Sequence, residues 1–250
     1  VVALLLVPHA TVAYLSLVDH RSWHTEVLPA ALTWANYSGL FTDADAAAPV
    51  RNSLWMSALA MGATVLVGVP AAYLIARLRT GGHALNLLVM VPWALPGTVI
   101  AVCLIAAFND PWLPLYSTVW MLPLAYFVRG VPLMTRMAAA AIGPFDATLL
   151  EAGRSLGASP AYCFGRLVVP LIAPAIAAAA ALVFTMALGE FVASILLYSP
   201  SNVPIAVKIN MVWRGSGIGA AFAYGVVLMV LVEAAFAVSR RAGPPAMSRF

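Results

Sequence analysis

The chain has 250 residues, 63% of them hydrophobic and 9% charged, with a formal net charge of +4; its mean hydropathy is +0.96. A soluble domain carries about 25% charged residues, so this chain has too few to build a surface that faces only water. A soluble enzyme or a nucleic-acid-binding module is excluded, and lipid is expected to cover much of the surface.

A membrane span needs about 20 consecutive apolar residues, and six such runs follow one another. They cover Val1 to about Val18, Asn52 to Ala76, Ala84 to Phe108, Thr118 to Ile142, Val168 to Tyr198 and Gly219 to Ser239. The first opens with Val1 rather than Met and has neither a basic n-region nor a small-residue cleavage site. It is therefore expected to be a membrane helix cut short, at a truncated N-terminus, and not a signal peptide. The interval 19–51 is the longest polar connection, and its TWANYSGLFTD segment suits a short surface helix. Pro92, Pro96, Pro123 and Pro132 are potential breakers within the third and fourth runs, and Pro170 and Pro174 cross the start of the fifth. The expected fold class is an all-α integral membrane protein of about six transmembrane helices, in a single domain over 1–250.

Lysine and arginine are unequally shared between the two sets of connections. One set holds Arg77, Arg79, Arg136, Arg154, Arg166, Arg240, Arg241 and Arg249; the other holds Arg21, Arg51, Lys208 and Arg214. The positive-inside rule makes the first set cytoplasmic, with the C-terminus inside and 19–51 outside. Trp23, Trp34, Trp55, Trp112, Trp120 and Trp213 then fall at or near the outer side, as interfacial anchors do.

Several chemistries are disfavoured. Lys208, in Ala-Val-Lys-Ile, is the only lysine, so no P-loop is present and no catalytic residue is assigned. Gly215-Ser-Gly-Ile-Gly219-Ala220 loosely fits a dinucleotide fingerprint, but it leads into a membrane helix and reads as a loop followed by packing glycines. His9, His20, His24 and His83 are scattered, and Cys103 (in an apolar run) and Cys163 (in a polar loop) form no CxxC pair. No metal site and no cofactor are expected. Asn36-Tyr-Ser38 matches a glycosylation sequon by chance-level odds.

The segment between the fourth and fifth runs carries the most information. Gly143 can cap a short helix, with Pro144 at its first position and Asp146 in its first turn. Phe145, Leu149, Ala152 and Leu156 recur at helical spacing as one apolar stripe. Gly157 stands where a left-handed residue would end that helix, and Ser159-Pro160 is a strong start signal for the next. This amphipathic hairpin suits either a docking element or a helix lying on lipid headgroups, and periodicity leaves both open.

The same residues resemble the EAA loop of binding-protein-dependent ABC importer permeases. That pattern is Glu-Ala-Ala, three residues, Gly, nine residues, Ile, any residue, Leu-Pro. Here it reads Glu151-Ala152-Gly153, Gly157, Leu167, Val169-Pro170, with Gly153, Leu167 and Val169 as the departures. The likeness covers about 52–241, with the loop itself at 143–170. It implies the type I importer permease fold, with a cytoplasmic coupling helix seated in a cleft of a separate cytosolic ATP-binding subunit. By that resemblance Glu151 and Gly157 are the coupling positions, with Ala152, Gly153, Leu156 and Pro170 beside them. It also implies a bacterial-type inner membrane, an extracytoplasmic substrate-binding protein, and a second permease half as an identical copy, a homologous subunit or a missing N-terminal half. Ala187-Leu-Gly-Glu190-Phe-Val-Ala-Ser-Ile-Leu-Leu-Tyr198 and Pro204-Ile-Ala-Val-Lys208-Ile resemble the ferric-iron-type permeases, with thiamine, polyamine, phosphonate and molybdate or sulfate permeases sharing parts of them. The competing class is a secondary transporter or channel, which would show inverted repeats.

Arg129 and Glu190 are expensive in lipid and are expected to face the bundle interior, either lining a pathway or pairing between helices. Glu233 is expected near the inner end of the last helix, snorkelling or paired with Arg240.

Overall fold

The computed structural model of the protein describes residues 2–19, 32–78, 80–143, 147–215 and 217–242, with the backbone alone for 2, 3, 147, 149 and 240–242. Twelve helices are described: α1 (Val2–Leu15), α2 (Ala35–Thr42), α3 (Ala44–Arg77), α4 (Gly82–Ala94), α5 (Gly97–Phe108), α6 (Met121–Ile142), α7 (Ala147–Ser155), α8 (Pro160–Cys163), α9 (Val169–Leu188), α10 (Ser194–Leu197), α11 (Ile205–Arg214) and α12 (Ile218–Ala242). A π-helical turn, Phe164–Val168, joins α8 to α9.

Among the described residues, three helical stretches are long and apolar enough to cross a membrane: Ala44–Arg77, Pro160–Leu188 and Ile218–Ser239. Counting α4 and α5 as one bent span makes four. The six expected runs are therefore realised unequally. The second and sixth form α3 and α12. The first forms only the short α1, and the other three are changed as follows.

The expected third span is broken. Leu95 is extended (φ −102°, ψ 134°), as a residue before proline tends to be, and Pro96 cannot continue the helix. The two halves meet at 108°. The expected fifth span begins earlier and ends sooner than its apolar run, since helix starts at Pro160 and stops at Leu188. Gly189 and Glu190 form a turn there, and the apolar residues beyond it enter α10. The fourth run becomes α6, a 22-residue helix that is not among the stretches apolar enough to cross alone. It needs less apolar surface than its neighbours because it sits at the centre: Met121, Leu122, Ala125, Met134 and Ala138 are fully buried between α3 and α9.

Lipid is as apolar as a leucine side chain, so helices in a bilayer associate through close packing rather than exclusion from water. Small residues mark the closest approaches. A Cβ on Gly130 would lie 2.9 Å from Val183 Cγ1 and 3.1 Å from Thr64 Oγ1, so α3, α6 and α9 all come into close contact at that residue. Gly68 meets Met134 in the same way. Two apolar clusters lie along this three-helix core. One gathers Met56, Ile100, Met121, Tyr126 and Leu197 toward α5 and α10. The other gathers Val69, Met134, Ile142, Leu150, Cys163 and Ile172 beneath the α7–α8 hairpin.

The loosely dinucleotide-like glycines pack helices. A Cβ on Gly219 would lie 2.5 Å from Asn36 Nδ2, and that amide donates to the Ser16 and Val18 carbonyls. Asn36, the sequon residue, thus ties α2 to the end of α1. The TWANYSGLFTD segment forms α2. Trp34, Trp112, Trp120 and Trp213 are exposed, and Trp55 is half-buried. Arg21, Trp23, His20, His24, Arg79, Pro144, Phe145, Asp146 and Arg249 lie outside the described residues.

Candidate functional site: the α7–α8 hairpin and the Arg129–Glu190 pair

The hairpin is held by backbone geometry. At the end of α7 the Gly157 N–H donates to the Arg154 carbonyl (2.9 Å) and the Ala158 N–H to the Gly153 carbonyl (3.0 Å). This is the Schellman pattern, and it requires the residue after the C-cap to be left-handed. Gly157 supplies that with φ +88°. Ser159 then turns extended, and its hydroxyl accepts the Tyr162 N–H to cap α8, whose first residue is Pro160.

The side that faces inward is not the apolar stripe. Leu150 is buried and Gly153 is half-buried, whereas Ala152 is exposed and Leu156 is 88% exposed. The side chain of Leu149 lies outside the described residues, as does Phe145 altogether. The inner contact is made by Leu150, one residue along from the expected stripe, and by the backbone of Gly153. Ala152 and Leu156 therefore do not pack against the rest of the chain. Glu151 and Gly157 of the hairpin are exposed as well, and so is Pro170 at the start of α9.

Cys163 is not in a polar loop but buried under the hairpin, 1% exposed. This explains one departure from the family pattern. A Cβ on Gly153 would lie 3.1 Å from Cys163 Sγ and 3.4 Å from Leu167 Cδ1, so the sulfur occupies space that a smaller neighbour would leave to an alanine. Beyond Cys163 the helix widens: the Val169 N–H bonds to the Phe164 carbonyl, five residues back. Pro170, directly after it, has no N–H to offer the carbonyls of this turn, consistent with the irregular pitch. Phe164 packs against Tyr73 of α3 with the rings tilted by 49° and their centroids 4.8 Å apart, tying this turn to the core.

The second site lies within the bundle. Arg129 Nε and Glu190 Oε2 are 2.7 Å apart, joining α6 to the turn after α9. The other carboxylate oxygen accepts the Ala193 N–H at 2.9 Å, capping the turn that leads into α10. The Ser194 hydroxyl donates to the Glu190 carbonyl (2.6 Å), so the buried Tyr126 hydroxyl, 2.8 Å from Ser194 Oγ, is the donor to it. Tyr126 and Arg129 are one helical turn apart and grip the same break twice. Arg129 also abuts the α4–α5 elbow, where a Cβ on Gly97 would lie 2.7 Å from one terminal guanidinium nitrogen and 3.2 Å from Val192 Cγ1. Tyr126, Ser194 and Gly97 escaped sequence reasoning. The available signals were the Tyr126/Arg129 spacing and the Glu190-to-Ala193 capping distance.

Glu233 is exposed on α12, and the side chain of Arg240 lies outside the described residues. No group of three or more His, Cys, Asp or Glu positioned to hold a metal occurs among the described residues.

Residues 64–244 match the family described as binding-protein-dependent transport system inner membrane component. The chain belongs to that family. It is 32% identical over 213 residues to a probable ABC transporter permease protein, y4fN, of Sinorhizobium fredii, covering 83% of this chain and 37% of the relative. It is 33% identical over 208 residues to the ferric transport system permease protein FbpB of Actinobacillus pleuropneumoniae, covering 81% of this chain and 30% of the relative. The chain thus spans about a third of the length of these two proteins. Its fold matches a membrane chain in the crystal structure of a bacterial ABC transporter involved in alginate import, with TM-score 0.74, 16% identity, and coverage of 94% and 90%.

Proposed function

We propose that this chain is a membrane domain of an ABC importer permease, and that its α7–α8 hairpin docks on a separate cytosolic ATP-binding subunit. The observation that carries this is the hairpin's build. A rigid, doubly capped turn presents Glu151, Ala152, Leu156 and Gly157 to the outside while Leu150 and Cys163 anchor it to α3, α6 and α9. A lever needs both features, a face free for a partner and a stiff connection to the spans that move. ATP hydrolysis belongs to the partner. A second permease half completes the pathway, and an extracytoplasmic binding protein delivers the cargo. The hairpin and the C-terminus face the cytosol, in an inner membrane.

The cargo we propose is ferric iron, supported by the likeness of 187–198 to ferric-type permeases and by the FbpB alignment. Relatives named for molybdenum, sulfate and 2-aminoethylphosphonate transport match at 31%, 27% and 26% identity, so molybdate, sulfate and phosphonates are competing cargoes to test, beside thiamine and polyamines.

Gly157→Asp tests docking. A left-handed aspartate is tolerated better than most residues, but the added carboxylate sits on the docking face. Uptake of labelled ferric citrate is expected to vanish at normal membrane levels of the permease, with the ATPase released or running without transport. Wild-type uptake at equal expression would remove the coupling role. Orientation is read with Tyr162→Cys, since Tyr162 is 59% exposed on the hairpin. An impermeant thiol reagent should label it in inverted vesicles and not in sealed cells.

A further inference from the structure

Two spans of this bundle are interrupted, at Leu95–Pro96 and at Gly189–Glu190, and both interruptions converge on Arg129 of the unbroken α6. Breaks of this kind are where backbone torsions change most cheaply, because no continuous helical ladder must be disrupted. What holds them here is side-chain chemistry. The Arg129–Glu190 ion pair and the Tyr126–Ser194 hydrogen bond clasp the second break, and the guanidinium seats against Gly97 at the first. The pair is only partly enclosed, with 28% of the Arg129 side chain and 10% of the Glu190 side chain exposed.

We propose that Arg129 and Glu190 are positioning residues that latch the two broken spans together, and that this latch holds the transport pathway in its resting state. A contact made in one of two states biases the equilibrium toward that state, and removing it shifts the population toward the other. Without the latch the domain drifts from its resting arrangement, and the attached ATPase cycles without cargo. This rests on the importer reading above.

The discriminating variant is Arg129→Met combined with Glu190→Gln, whose amide oxygen can still accept the Ala193 N–H that caps the turn. It removes both charges together, so neither is left without its partner, and a pair with no latching role should be dispensable. Basal ATP hydrolysis is measured on the complete permease–ATPase complex in nanodiscs, and labelled ferric citrate uptake in cells. The double variant is expected to assemble at wild-type yield, to raise basal hydrolysis, and to lower uptake by at least about fivefold, the low end of coupling between sites. Arg129→Lys, which keeps the charge, should recover part of the uptake that Arg129→Met loses.

If the double variant fails to assemble, Gly97→Ala asks the same question without removing a charge, because its new methyl displaces the guanidinium. It should raise basal hydrolysis in the same direction. Wild-type uptake and hydrolysis in the assembled double variant, or in Gly97→Ala where that stands in for it, would overturn the latch. Wild-type chain that brings down no ATPase would instead overturn the importer reading, so the two failures are distinct.

Discussion

The hairpin between α7 and α8 and the turn between α9 and α10 are both places where helix gives way, and they are secured by opposite means. The hairpin is set by its own backbone: a left-handed glycine, two crossed carbonyl bonds and a serine cap, all within a few residues. Its side chains are left free on one face. The turn at Glu190 is secured by side chains brought from α6, and its polar groups are consumed in the process. Local backbone devices leave a surface available for a partner; long-range side-chain clasps hold the interior. The difference also decides what reading along the chain can find.

The comparison is broken most severely where three helices of the interior meet. Gly130→Leu places a branched side chain where even a Cβ would lie 2.9 Å from Val183. Overpacking of this kind costs about 1–3 kcal/mol or more. The detergent-extracted protein should lose its monodisperse peak and unfold at lower temperature, whereas Leu156→Ala on the exposed face should leave both unchanged. A Gly130→Leu protein as stable as wild type would mean that the three-helix crossing is looser than described.

Ser159→Ala tests the local side of the contrast. Loss of an N-cap hydroxyl costs about 1 kcal/mol. Hydrogen exchange should quicken at the amides of 161–163 and stay unchanged at the Glu190 turn. Equal acceleration at both would show that the hairpin and the interior open together.

The smallest effect is expected at Gly153. Alanine there gains about 1 kcal/mol of helix propensity, but its methyl meets Cys163 Sγ at 3.1 Å. Gly153→Ala alone should be close to neutral in melting temperature, and Gly153→Ala with Cys163→Ala should lie above Cys163→Ala alone. Additive changes would break the steric link between the two positions.

These contrasts explain what was legible. The stop at Gly157 and the restart at Ser159-Pro160 were readable because cap chemistry is written in adjacent residues. The α4–α5 elbow was half-readable: Pro92 and Pro96 were visible, but a proline in a membrane run bends, breaks or is tolerated according to its neighbours. The early end of α9 was not readable from apolarity, since the residues after Glu190 remain apolar while the chain turns. The partnership of Arg129 with Glu190 spans two segments far apart in sequence, and only the cost of an unpaired charge in lipid pointed to it. The inward face of α7 was not readable, because Gly153, having no side chain, contributes to a buried face without appearing apolar. Cys163 was misplaced because a single thiol in a polar-looking stretch carries no periodic signal.

The central position of α6 has a consequence for biogenesis. This helix carries Arg129 and Arg136 and is not apolar enough to be a span by composition alone. As the chain emerges from the ribosome, α3 is available to shelter it, but α9 and Glu190 have not yet been made. An arginine at the centre of an inserting helix costs about 2.5–3.5 kcal/mol on translocon scales. The partner that relieves this cost, Glu190, is synthesised after α6, so the helix gains its full stability in the bilayer only once the turn after α9 has been made.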